Sequence, residues 1–133
     1  MLAKIAVSAA VFAIDKPYDY RIPDGMPVQP GMRVTVPFGR GDRITEGVVL
    51  TLEDAEPGPG VKSIQRCLDP EPVLTEPMLR LAAFVRQRYY CTFFEAIRVM
   101  LPAGLWFRSR DTYVVAQPLA EDWPSQVARM EGA

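Results

Sequence analysis

Hydrophobic positions in the first 68 residues recur mostly at every second residue, in runs cut by turn-forming residues, which is the pattern of short half-buried strands. The opening run follows Lys4 as IAVSAAVFAI. In it Ile5, Val7, Val11, Phe12 and Ile14 predict a buried strand that the turn Asp15-Lys16-Pro17 ends. The small-residue A-x-A-like stretch also fits a short secretory leader, but the run lacks the leucine-rich character of one. At about ten apolar residues it is too short to span a bilayer. Read as a strand, it predicts a cytoplasmic protein with no membrane partner.

After Pro17, Tyr18 to Ile22 alternates so that Tyr18, Tyr20 and Ile22 share one face and Asp19 and Arg21 the other. Pro23-Asp24-Gly25 and Pro30-Gly31 are turns. Arg33 to Phe38 is the next strand, with Pro37 marking a sheet edge or bulge before the polar loop Arg40-Gly41-Asp42-Arg43. Glu46 to Leu52 is a further strand, Glu53 to Gly60 a loop, and Val61 to Leu68 alternates again. Five short strands joined by tight turns predict an antiparallel sheet curled toward a small barrel.

The period then changes. From Thr75, an N-cap candidate with Pro77 in the first turn, the residues Met78, Leu81, Ala82, Val85 and Tyr89 recur at helical spacing to about Tyr90. Thr92 and Glu95 form a capping box for a second short helix through Val99, which Pro102 ends. Leu105 to Ala116 alternates once more, and the acid-rich remainder suggests a boundary, giving one domain over residues 1–105 and a segment 106–133. The expected class is α+β: a small antiparallel, barrel-like sheet followed by a helical pair packed on it, with a C-terminal strand or tail.

Composition removes chemistries. With no histidine in 133 residues there is no Ser-His or Cys-His nucleophile pair, no imidazole acid or base, and no imidazole metal ligand. Cys67 and Cys91 are too few and too far apart for a zinc half-site or a disulfide framework, and read as buried thiols. Neither G-x-x-x-x-G-K-[ST] nor G-x-G-x-x-G occurs, so this stretch is expected to bind no ATP and no other cofactor. The net charge is −1, but Arg129 alone faces Asp111, Glu121, Asp122 and Glu131 at the end, which leaves residues 1–110 with a surplus of two positive charges. Contact with DNA would therefore run through a local site rather than a broad basic field.

Three features stand above that background: Pro17-Tyr18-Asp19-Tyr20, Val36-Pro37-Phe38-Gly39-Arg40 and the isolated Lys62. Singly each has a plain reading: core aromatics, a turn, a solvated lysine. Arg80, Arg86 and Arg88 read as a solvated helix face with at most an incidental phosphate contact. Asp19, flanked by aromatics, must face water or be paired, because burying a bare carboxylate is prohibitive.

Jointly, Tyr18-Asp19-Tyr20, Gly31-Met32-Arg33-Val34, Val36-Pro37-Phe38-Gly39, Gly47-Val48-Val49, Lys62, Glu71-Pro72-Val73 and Leu101-Pro102 resemble the amino-terminal domain of the PriA family of replication-restart helicases, primosomal protein N′, over roughly residues 3 to 105. The resemblance implies binding of the 3′-hydroxyl end of a nascent leading strand at a stalled fork, with Tyr18, Asp19, Tyr20, Gly39 and Lys62 lining the pocket. Arg40 and Arg43 are candidate phosphate contacts. It also implies a parent with ATP-dependent 3′-to-5′ helicase lobes using ATP and Mg and with structural zinc, and branched forks, primosome proteins and single-strand-binding protein as its partners. Residues 106–133 would then be a linker and the truncated start of a winged-helix-like domain. The family's Pro-and-Gly-containing stretch between the helices is replaced here by Thr92-Phe93-Phe94, and nothing is carried over after Trp106.

The chemistry of such a pocket follows from the ligand. A terminal 3′ oxygen carries a hydrogen where an internal one carries a phosphodiester, so an ionised Asp19 can accept from the first and repel the second. An aromatic at Tyr18 or Tyr20 stacks on any base, Gly39 lets backbone approach, and Lys62 can neutralise the last phosphate or pair with the pocket carboxylate. Two other classes compete: a protein-interaction module whose tyrosines are hot spots, and an enzyme built on Asp19, Glu46 and Glu95, which nothing in the sequence brings together.

Overall fold

The computed structural model describes residues 1–105 and 112–114. It is an α+β fold: a five-stranded antiparallel sheet with two helices packed against it. The strands are β1 (Leu2–Val7), β2 (Tyr18–Arg21), β3 (Arg33–Phe38), β4 (Arg43–Glu53) and β5 (Arg66–Cys67), in the order β2-β1-β4-β3-β5. The helices are α1 (Glu76–Arg88) and α2 (Phe93–Arg98), and single 3₁₀ turns cover Phe12–Ile14 and Ala103–Leu105.

β1 and β4 lie at the centre and are apolar on both faces, which is why their sequences read as near-continuous hydrophobic runs. Ile5, Val7, Val34, Val36 and Val49 point into a core on the concave face, closed by Tyr20, Val28 and Ile64. The neighbouring residues Ala6 and Val48 point the other way, against Leu74, Leu79, Ala82, Phe93 and Ile97 from the helical side. The β1–β4 register slips between Lys4 and Ile5, an irregularity that adds curl to the sheet. Gly31, at φ +89°, holds the turn before β3 so close to the lead-in of α1 that a Cβ would lie 2.1 Å from the Leu74 carbonyl oxygen.

The sheet curls as expected but stays open. Among the described residues its β2 edge is met only by an isolated parallel bridge from Ser63 to Arg21, made as the chain crosses toward β3. That crossing is why Val61 to Leu68, alternating throughout, contributes only the two ladder residues of β5. β4 is longer than predicted, beginning at Arg43, because its N-terminal end pairs with Pro37 and Phe38. β1, in contrast, ends at Val7: Val11, Phe12 and Ile14 are exposed in the turn that follows. The helix α1 buries Leu79 and Ala82, while Leu81 and Tyr89 of the predicted stripe are exposed. The capping box of α2 forms as read, with Thr92 Oγ1 accepting from Glu95 N–H and Glu95 Oε2 from Thr92 N–H.

Two polar expectations change. Arg86 is not part of a solvated face: its Nε donates to Asp15 Oδ2 at 2.5 Å, and it sits over the Phe93 ring, 4.7 Å from the centroid. The Asp15 side chain is 2% exposed and also accepts from the Phe93 N–H at 3.1 Å. A second internal pair joins Arg33 to Asp69 at 2.6 Å, and that hydrogen bond holds the Arg33 guanidinium above its ordinary pKa. Cys67 and Cys91 are free and half-buried rather than sealed in the core, Cys67 because it lies on the edge strand β5. Among the described residues no helix is long and apolar enough to cross a membrane. Of the expected C-terminal strand, Leu105 closes a 3₁₀ turn and residues 112–114 form no regular element; the remainder of that strand and of the segment 106–133 lies outside the described residues.

Candidate DNA-end cleft

Beside the outer edge of β2 lies a cleft of about 730 Å³ whose walls include Tyr18, Asp19, Tyr20, Gly39, Arg40 and Lys62, together with Phe38, Asp42 and the Pro59–Val61 stretch. All five residues expected at the pocket are therefore gathered in one place. Of the two candidate phosphate contacts, Arg40 lines the cleft. Arg43 is exposed at the start of β4, opposite Phe38, and is not part of the wall. A hollow of about 810 Å³ between α1 and the sheet is lined mostly by apolar groups such as Leu50, Leu52, Leu74 and Leu79.

Strand geometry decides which part of each residue faces the cleft. Arg21 directs its N–H and C=O outward, to Lys62 O at 2.8 Å and from Ile64 N at 3.0 Å, whereas the Ile22 N–H turns inward to Met1 O at 3.4 Å. By the alternation of an antiparallel pair, Tyr18 and Tyr20 direct their backbone groups toward β1 and Asp19 directs its own outward, to the open edge. No backbone hydrogen bond outside the ladder reaches Asp19 there among the described residues. Asp19 and its register partner Lys4 form the non-hydrogen-bonded pair, in which side chains approach closely. Accordingly Lys4 Nζ donates to Asp19 Oδ1 at 2.9 Å and lies 3.5 Å from Glu53. The Asp19 carboxylate holds the Lys4 ammonium above its ordinary pKa, and the Asp19 side chain remains 47% exposed.

The two tyrosines differ. Tyr20 is 3% exposed, and its hydroxyl donates to the Pro37 carbonyl at 2.9 Å, tying β2 to β3 across the concave core. Burial pushes its pKa up to about 12, with Tyr18 and Asp42 adding to the rise. Tyr18 is half-buried: its ring meets Phe38 edge to face at 5.1 Å, its hydroxyl donates to Ile14 O at 2.6 Å, and Lys16 Nζ stands 5.4 Å from its centroid. The aromatic surface open to a stacked base is thus that of Tyr18 and Phe38.

Gly39, at φ +76°, turns the chain so that its carbonyl faces the cleft, and a Cβ there would meet nothing within 4 Å. That carbonyl accepts from Lys62 Nζ at 2.6 Å and from the Asp42 N–H at 3.4 Å. Lys62 Nζ also lies 2.6 Å from Asp42 Oδ1. The carboxylate paired with Lys62 is therefore Asp42, and Asp19 is held by Lys4. Asp42 and Lys4 are the residues that sequence reasoning missed. Asp42 sits at φ 48°, where Asp is one of the few tolerated non-glycine residues, so Gly41-Asp42 following Pro-Phe-Gly was a usable signal. Nothing local marks Lys4, because its partner is fixed by strand register.

The family model described as the PriA 3′ DNA-binding domain (3′BD) matches residues 4–102. The chain belongs to that family. The match spans every residue that lines the cleft. Over 133 residues, 96% of the chain, it is 35% identical to the replication restart protein PriA of Bacillus subtilis and covers 16% of that protein. It is 35% identical over 111 residues to the PriA of Synechocystis, covering 80% of this chain and 13% of the relative. A probable PriA of Mycobacterium tuberculosis H37Rv is 34% identical over 93 residues, 68% of this chain and 14% of that protein. The chain spans about one sixth or less of the length of these relatives. As a PriA 3′ DNA-binding domain it has DNA as its partner.

Proposed function

We propose that the cleft captures the last nucleotide of a DNA strand with a free 3′ hydroxyl, without regard to base, as restart at arbitrary stalled forks requires. One observation carries the reading: the open edge of β2 presents the Asp19 backbone beside Tyr18, Gly39 and Lys62 in a single cleft. An outward N–H and C=O offer one donor and one acceptor. The Watson–Crick edge of every base carries both a donor and an acceptor, so such a pair anchors an unpaired base without naming it. Stacking on Tyr18 or Phe38, worth about 1–3 kcal/mol per base, is equally blind to sequence. Lys62 takes the last phosphodiester, and the Asp19 carboxylate, with Oδ1 on Lys4, accepts the terminal hydroxyl. In the longer polypeptide the domain would deliver this end to an ATP-driven helicase that assembles with primosome and single-strand-binding proteins.

The test is a titration of one labelled oligonucleotide bearing a 3′ hydroxyl against its 3′-phosphorylated twin. The hydroxyl form should bind more tightly, and Asp19→Ala should weaken it while leaving internal single-strand binding almost unchanged. Equal or absent binding of the twins would favour a protein-interaction module instead. Parallel loss of end and internal binding in folded Asp19→Ala would make Asp19 structural.

A further inference from the structure

We infer that Asp42 sets the end specificity of the cleft: it is the carboxylate that refuses a strand carrying a phosphate on its 3′ oxygen. The inference rests on the end-binding reading above and adds to it a residue outside those that reading uses.

Arg40, Lys62, Asp42 and Asp19 all line the cleft, but Asp19 turns its backbone to the open edge and its carboxylate to Lys4. The two carboxylates are not equivalent. Asp19 lies across the strand from Lys4, which stands outside the cleft and keeps its charge balanced whatever the cleft holds. Among the described residues the ion pair of Asp42 is with Lys62, at 2.6 Å, inside the cleft. A bound nucleotide needs that same ammonium for its phosphodiester. One phosphodiester carries one charge and can share Lys62 with Asp42, since an ammonium has three donors and Gly39 O occupies one. A 3′-phosphate adds a further charge of about −1.5 to −2 at neutral pH, as other phosphomonoesters do, and leaves Asp42 facing it without a cation of its own. The Asp42 backbone is anchored by its N–H on the Gly39 carbonyl, the same oxygen that receives Lys62, and its side chain is 66% exposed. The turn, the lysine and the carboxylate therefore form one unit, poised for a terminus of limited charge.

The two carboxylates predict opposite phenotypes. Removing the Asp19 charge deletes an acceptor and should lower affinity for the hydroxyl end. Removing the Asp42 charge deletes a repulsion and should raise affinity, most of all for the phosphorylated end. The experiment is fluorescence anisotropy of the wild-type domain and Asp42→Asn with the hydroxyl and 3′-phosphate twins, in low salt at pH 7.5. Asparagine keeps an oxygen acceptor for Lys62 and tolerates the positive φ; Asp42→Gly, which removes the side chain altogether, serves as the second variant. Both should melt near the wild type. The ratio of affinities, hydroxyl over phosphate, should fall by about two- to fivefold in each, the effect of deleting one exposed charge. A wild type that prefers the hydroxyl end while both variants keep its ratio would overturn the role of Asp42 and leave end binding standing. A wild type that binds both twins equally would overturn both. Loss of affinity for both twins in folded Asp42→Asn would also overturn it, since Asp42 would then be supporting Lys62 rather than opposing the ligand.

Discussion

The buried pair of Asp15 and Arg86 gives the sharpest stability prediction. Replacing Arg86 by Met keeps the aliphatic volume and removes the charge, leaving a carboxylate that is 2% exposed with only the Phe93 N–H as partner. Breaking a buried pair from one side costs about 3–5 kcal/mol. The retained hydrogen bond at the start of α2 and the helix dipole return up to about 1 kcal/mol, so the net loss should be about 2–4 kcal/mol. A domain of this size loses about 4–8 °C of Tm per kcal/mol. Arg86→Met should therefore melt at least about 8 °C below the wild type, with a lower urea midpoint and an unchanged m-value. Asp15→Asn combined with Arg86→Met should recover at least half of the loss, because no bare charge remains inside. A single variant within about 0.5 kcal/mol of wild type would refute the premise that Asp15 is ionised and desolvated in the fold.

Three further outcomes are expected. Tyr20, at about 12 when folded against an ordinary value of 10.0, keeps its proton more tightly in the native state. Its contribution is therefore complete below pH 10 and is lost as pH rises toward 12, on the order of 2 kcal/mol; the urea midpoint of wild type should fall more steeply over that window than that of Tyr20→Phe. Gly31→Ala forces a Cβ to 2.1 Å from Leu74 O at a positive φ, so it should cost more than the roughly 1–2 kcal/mol of backbone strain alone, read by thermal melting; a Tm unchanged within 3 °C, about 0.5 kcal/mol, would contradict this. With Arg40 and Lys62 as the cleft's cations, log K for a short single-stranded oligonucleotide should fall with log salt at a slope of about −1.4, and a slope beyond about −3 would mean that a separate basic surface binds DNA.

Local chemistry made much of this legible. Arg33–Phe38 emerged with its true ends because Pro30-Gly31 and Gly39 bracket an alternating run, and the Thr92–Glu95 box fixed the start of α2. What failed depended on partners distant in the chain. Val11, Phe12 and Ile14 look like more of β1, yet β4 ceases to pair with β1 at Gly47, and Asp15 is drawn away to Arg86. The apolar residues of α1 cover two arcs, and only packing shows that the Leu79 and Ala82 arc is buried while Leu81 and Phe84 remain outside. At the cleft the residue types were readable, since tyrosine, aspartate, glycine and lysine suit a strand end. The pairing was not: that Lys4 meets Asp19, and Asp42 meets Lys62, follows from strand register and from the four-residue turn Gly39–Asp42, neither of which leaves a periodic mark.

The bridge between Ser63 and Arg21 has a bearing on self-association. A bare outer strand invites a second copy of the molecule to pair with it, the usual first step toward dimers and fibres. Here the crossing chain occupies that flank at Arg21, and Tyr18 and Tyr20 turn their backbone groups to β1, so among the described residues of β2 the N–H and C=O of Asp19 stay open on it. One residue's pair of groups can greet a single nucleotide, but it is too little to seed an intermolecular ladder. By leaving no more than that pair open on the flank, the domain can stay monomeric in solution with its receptor groups unpaired.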